Sequence, residues 1–165
     1  MQLATKTTYP IEQLLDDWRW LLPDDVELVV ITKAGDAFVR RLSDGAILWL
    51  NVVEGSADQV SASLDEFQAA ITEEQHIEAW FMPDIVQGQA LLGMDPGQNE
   101  CLSFKQPPVL GGQLDPDNIE VTDIAVHFSV SGQIHQQVKD LPPGTKINQV
   151  TVAEAEQKKP WWRFW

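Results

Sequence analysis

The residues able to do chemistry in this 165-residue chain are few and scattered. There are three histidines, His76, His127 and His135, and one cysteine, Cys101. On one helix His127 and His135 would stand about 12 Å apart along the axis, too far to share a metal ion. No HExxH, CxxC or EF-hand spacing occurs. His127 therefore reads as a histidine satisfied in or beside the core. Cys101 lies in a strand-like run, Cys101-Leu102-Ser103-Phe104, with no helix N-terminus beside it to lower its pKa. It reads as a buried, inert thiol. Gly111-Gly112 has the backbone freedom to form an anion nest, but no phosphate-loop pattern accompanies it and its neighbourhood is acidic. A hydrolase built around His127 and this loop thus has no motif behind it. No metal or cofactor is implied, and the expectation is a protein without catalytic activity.

Charge is the more informative signal. The formal net charge is −14, which argues against nucleic acid as a direct partner. Between Arg41 and Lys105 there is no lysine or arginine, while eleven acids fall in that tract. One reading is a solvated face that keeps the protein soluble. The other is a docking surface for a basic protein, with Asp65, Glu66, Glu73, Glu74, Glu78 and Asp84 as its contacts.

The elements that must position these residues follow from periodicity. Residues 1–8 read as a loose start. Ile11, Leu14, Leu15 and Trp18 recur at helical spacing, predicting a helix over 9–21 that Pro23 ends, with Trp18 in the core and Trp20 at its edge. Strands are predicted over 26–33, 37–42 and 46–52, joined by turns at Ala34-Gly35-Asp36 and Ser43-Asp44-Gly45, with a short fourth strand near Asp58–Ser61. Ser63 and Glu66 form a capping box for a helix carrying Leu64, Phe67 and Ile71. A second helix starts near Glu73 or Glu74, Pro83 interrupts it, and a third follows despite Gly88. Glu100–Phe104 reads as a strand and 118–121 as a short edge strand. Over 123–139 the β-branched content favours a strand. Ile124, His127, Phe128, Ile134, His135 and Val138 favour a helix, and length and the Thr122/Asp123 cap decide for the helix. Residues 146–152 read as a last strand.

The end of the chain differs in kind. Lys158-Lys159-Pro160-Trp161-Trp162-Arg163-Phe164-Trp165 is basic and aromatic. Trp161, Trp162, Arg163 and Trp165 have the chemistry of a membrane-surface or protein contact, although eight residues give weak membrane affinity at most. No apolar run is long enough to span a bilayer and the first residues carry no hydrophobic leader core, so the expected location is the cytoplasm. A lone cysteine agrees with a reducing compartment.

The stretch from Cys101 to Ile147 resembles a bacterial family first catalogued as a domain of unknown function. That family is associated with the C-terminal domain of immunity proteins to type VI secretion DNase effectors. The resemblance rests on Phe104, Pro107-Pro108, Leu110-Gly111-Gly112, Asp117-Asn118-Ile119, His127-Phe128 and Gly132-Gln133-Ile134. Further upstream it rests on Gly35-Asp36-Ala37-Phe38, Asp44-Gly45, Trp49-Leu50 and Leu64-Asp65-Glu66-Phe67. It spans roughly residues 18–147. It implies an α+β fold: a mostly antiparallel sheet, built from the meander and the strand near Cys101, packed by helices from 9–21, 63–92 and 123–139. One immunity-type domain over 1–152 and a flexible basic, aromatic tail over 153–165 are expected. The implied function is inhibition of a basic toxin, a nuclease, by occlusion. The alternative is a housekeeping adaptor acting through the tail.

Overall fold

The computed structural model describes residues 2–153 and has an α+β fold. Its elements are β1 (Ala4–Thr5), α1 (Ile11–Leu15), β2 (Val26–Thr32), β3 (Ala37–Arg41), β4 (Ile47–Asn51) and β5 (Ser56–Ser61). These are followed by α2 (Leu64–Ala70), α3 (Glu74–Phe81), α4 (Pro83–Leu91), β6 (Glu100–Phe104), β7 (Ile119–Asp123) and α5 (Ile124–Val138). Strands β1 to β5 form an antiparallel sheet in chain order, and β6 and β7 form a separate antiparallel pair.

The sheet is covered on both faces, and the central strands show why. β3 reads Ala-Phe-Val and β4 reads Ile-Leu-Trp-Leu, apolar at consecutive positions rather than alternate ones. Ala37, Val39, Leu48 and Leu50 pack with Leu14, Leu15 and Trp18 of the N-terminal helical segment and with Ile124 and Phe128 of α5. Phe38 and Ile47 point the other way, to Phe67, Trp80 and Phe81 of α2 and α3. The result is three layers, with α1 and α5 on one face and α2 and α3 on the other. At the edge, β5 reads Ser-Ala-Asp-Gln-Val-Ser and is half exposed. A third, smaller cluster of Val86, Leu102 and Ile119 seats α4 against the β6–β7 pair.

Helix boundaries follow local chemistry. Ser63 Oγ accepts the Glu66 N–H at 3.2 Å, and Glu66 reaches back to the Ala62 N–H at 2.9 Å, close to the expected capping box. Met82, in a left-handed conformation, separates α3 from α4, whose first residue is Pro83. Asp123 Oδ1 caps α5 by accepting the Ala125 and Val126 N–H groups.

Four expectations are corrected. The strand near Cys101 does not extend the meander, because that edge is already occupied. β1 pairs with β2 through Ala4↔Thr32, and Lys33 N–H donates to the Leu3 carbonyl at 2.7 Å. Residues 1–8 are therefore not merely a loose start. β6 instead abuts the β2–β3 turn, where Leu102 N–H donates to the Lys33 carbonyl at 2.8 Å. The first helix is shorter than 9–21: α1 stops at Leu15 and a 3₁₀ turn, Asp16–Trp18, takes over. Residues 146–152 form no strand. Gln137 accepts the Thr151 N–H and donates to the Thr151 carbonyl, at 3.1 and 2.7 Å. Gln133 does the same for Ala153, at 2.8 and 3.1 Å. Side-chain amides thus replace a neighbouring strand.

Candidate functional site

Two places collect polar groups. The first is a cleft at the end of the sheet, lined by Ala34, Asp36, Val52, Ser103, Pro107, His127, Ser131 and His135 among others, with a cavity volume of about 30 Å³. Such a volume has room for about one or two water-sized molecules. Asp36 follows the Gly35 turn and is 1% exposed. Its carboxylate accepts the Val52 N–H at 2.9 Å and the Trp49 Nε1–H at 3.1 Å, so it ties the β2–β3 turn to the residue after β4. Burial pushes its carboxyl up to about 7, and the Val52 and Trp49 donors only partly oppose this.

The two histidines of α5 complete the junction. His127 Nε2 lies 2.8 Å from the Gly35 carbonyl and Nδ1 lies 2.9 Å from Ser103 Oγ. A carbonyl only accepts, so Nε2 carries the proton, and in the neutral ring Nδ1 accepts from the serine hydroxyl. Burial holds His127 down at about 4, against the Gly35 carbonyl, which favours the protonated ring. Two helical turns on, His135 Nε2 donates to the Val52 carbonyl at 2.9 Å, and burial lowers its pKa too. His127 is therefore satisfied in the core as read from sequence, His135 is satisfied in the same way, and each fastens α5 to a different turn of the sheet. Cys101 is buried and free, and burial drives its thiol far above the usual range.

The Gly111-Gly112 turn, considered above as an anion nest without a supporting motif, uses its amides within the loop. The Gly111 and Gly112 N–H groups donate to the Pro108 and Pro107 carbonyls at 2.8 and 3.1 Å, so neither faces a ligand. A Cβ on Gly112 would lie 1.8 Å from the Gln106 carbonyl oxygen, so close backbone approach explains this glycine. Among the described residues no group of histidine, cysteine and carboxylate side chains is placed to hold a metal.

The second place is the helical tract α2–α4. Asp65, Glu66, Glu73, Glu74, Glu78 and Asp84 are all exposed. Glu73 precedes α3, and Asp65, Glu66, Glu74 and Asp84 stand in first turns, where a negative charge also favours the helix dipole. Glu66 spends one oxygen on Ala62, and Glu73 accepts from Gln75 and lies 3.6 Å from His76. Among the described residues none of the six pairs with a lysine or arginine. By contrast, Asp44 and Asp95, in the same stretch of sequence, are held by Arg41 and Lys33.

Trp161, Trp162, Arg163 and Trp165 lie outside the described residues, as does all of the expected tail except Ala153. No helix among the described residues is long and apolar enough to cross a membrane. The residue that sequence reasoning missed is Asp36. An aspartate after a glycine between two strands reads as a turn residue, and nothing local reveals that tertiary packing buries it.

Residues 61–135 match the family described as T6SS immunity protein Tdi1, C-terminal. The span runs from the end of β5 to His135. It contains α2, α3, α4, β6 and β7, and the Pro107-Pro108, Gly111-Gly112, His127-Phe128 and Gly132-Gln133-Ile134 signatures. The chain thus resembles the C-terminal domain of a type VI secretion immunity protein over this span, while the meander residues Gly35–Leu50 lie outside it. No curated protein matches the chain.

Proposed function

We propose that the chain is an immunity-type binding protein that neutralises a basic effector of the nuclease class by covering its nucleic-acid groove. The supporting observation is the tract α2–α4, inside the matched span, with six exposed carboxylates and no lysine or arginine partner among the described residues. Carboxylates can stand where phosphates would bind, and a one-signed face accelerates encounter with the opposite sign. In this reading Asp65, Glu66, Glu73, Glu74, Glu78 and Asp84 are the contacts. The buried Asp36–His127–His135 junction holds the scaffold that carries them.

The test is a pull-down from the source cell lysate at low and then high salt, followed by binding measurements on the retained protein. A basic nuclease held at low salt and released at high salt supports the proposal. The triple reversal E74K/E78K/D84K should weaken that complex at least 100-fold. Unchanged affinity sinks the acidic face.

A further inference from the structure

We infer that the exposed face of α4 is a second part of the same docking surface, an apolar centre for a helix with basic flanks on the partner protein. This rests on the reading above and adds to it the contact that is not electrostatic.

Among the described residues eight large hydrophobic residues are exposed; Ile85, Leu91 and Leu92 lie on α4 or at its end, and Leu114 lies on a loop bonded to it. Leu91 is 83% exposed and Leu92 67%, with Ile85 one turn and more behind them on the same helix. Leu114 lies on the loop that Gln89 ties to α4 through its amide N–H and the Pro116 carbonyl at 3.1 Å. Scattered surface leucines need no explanation, but a concentration on one helix and its tethered loop does. Ile85, Gly88 and Leu92 fall at i, i+3 and i+7 and so share one face. Val86 and Gln89, about 100° and 40° round the helix from Ile85, are its buried residues and pack inward.

Gly88 is the independent sign. Glycine weakens a helix interior relative to alanine. A Cβ at Gly88 would meet nothing within 4 Å, so nothing described within the chain requires the residue to be so small. A bare position in the middle of an exposed apolar stripe lets another backbone approach closely.

Charge selects the occupant. Asp84, Asp115 and Asp117 flank the patch in sequence, and residues 42–104 contain no lysine or arginine. The nearby Lys105 ammonium is spent on the Asp117 carbonyl at 2.8 Å, and Lys33 is paired with Asp95. A second copy would bring acids against acids, and an anionic lipid surface or nucleic acid would be repelled in the same way. A protein helix with an apolar ridge between lysines or arginines satisfies both the leucines and their rim.

The test uses the full chain and two synthetic 18-residue peptides of equal positive charge. One is an amphipathic leucine–lysine helix; the other places its lysines among glycine and serine. Binding is read by fluorescence anisotropy at low salt, with amide shifts mapped by NMR. The amphipathic peptide should bind at least tenfold more tightly and shift the amides of Ile85–Leu92. L91S/L92S should remove that preference and leave binding of the lysine–glycine–serine peptide unchanged, since both leucines are exposed and the fold does not depend on them. G88A should raise Tm by about 2–4 °C yet weaken the amphipathic peptide, opposite effects that a purely structural glycine would not give. Equal binding of both peptides, insensitive to L91S/L92S, overturns the apolar centre and leaves the acidic face standing. No binding of either peptide overturns both readings. Sedimentation showing a dimer that L91S/L92S dissociates overturns the proposed partner in favour of self-association.

Discussion

His127 donates its Nε2–H to the Gly35 carbonyl at 2.8 Å, and its ring fills the space where a side chain on Gly35 would begin. Gly35 has φ +101°, and a Cβ there would lie 2.8 Å from both His127 Nε2 and the Leu102 carbonyl oxygen. Gly35→Ala should therefore cost at least about 2 kcal/mol, from backbone strain and collision together. Gly45 also has positive φ, but a Cβ there meets nothing within 4 Å, so Gly45→Ala should cost only about 1–2 kcal/mol. Urea unfolding of the two variants separates collision from strain, and equal losses would contradict the packing described.

Asp36 and His127 should give opposite pH dependences that cancel in the native protein. Asp36 titrates near 7 folded against 3.8 unfolded, so between pH 4 and 7 the folded state holds the extra proton and stability falls as pH rises. His127 titrates near 4 folded against 6.5 unfolded, so from pH 4 to 6.5 the unfolded state holds the extra proton and stability rises with pH. Each contributes about 1.4 kcal/mol per pH unit in its window. Relative to wild type, Asp36→Asn should add a positive slope of that size between pH 4.5 and 6.5, and His127→Gln a negative one. Urea titrations at several pH values measure both, and parallel profiles for all three proteins would refute the assignment.

Phe38 should be the most costly single truncation on the α2/α3 face of the sheet. It is fully buried, and its ring lies 4.8–6.2 Å from those of Trp49, Phe67, Trp80 and Phe81. Phe38→Ala should lose about 3–5 kcal/mol, with a change in tryptophan emission because two of its neighbours are indoles. A loss under 1 kcal/mol would mean that this cluster does not hold α2 and α3 to the sheet.

Ser63→Ala removes the acceptor for the Glu66 N–H and should cost about 1 kcal/mol. Because Glu66 is also a proposed contact, the variant should leave partner affinity almost unchanged if the cap alone is disturbed. A loss of affinity matching that of a Glu66 charge reversal would show that α2 must be held in place for docking.

Local chemistry made much of this fold readable. The capping box at Ser63, the break at Pro83, the Asp-Gly hairpin and the Asp123 cap each act within a few residues, and each is where the sequence places it. What escaped was settled by partners distant in sequence. Ala4-Thr5 is only two residues long, and becomes a strand because β2 offers an open edge. Val150-Thr151-Val152 is strand-like, yet α5 rather than a strand receives it. Asp36 looks like any turn aspartate until Trp49 and Val52 close over it. The six acids were legible as charge, and all six are exposed. The apolar stripe on α4 was not legible, because Ile85, Leu91 and Leu92 match the residues of a core helix, and only the packing shows which face stays bare.

The amides of Gln133 and Gln137 grip the main chain at Ala153 and Thr151 and make no use of the side chains there. Attachment of this stretch is therefore indifferent to its spelling. Replacing Thr151 by valine, serine or lysine keeps all four hydrogen bonds, whereas proline at 151 or 153 deletes a donor and breaks one. The register is written on the helix, by two glutamines one turn apart, and a lineage could rewrite residues 149–153 almost freely while α5 still holds that stretch at the same point.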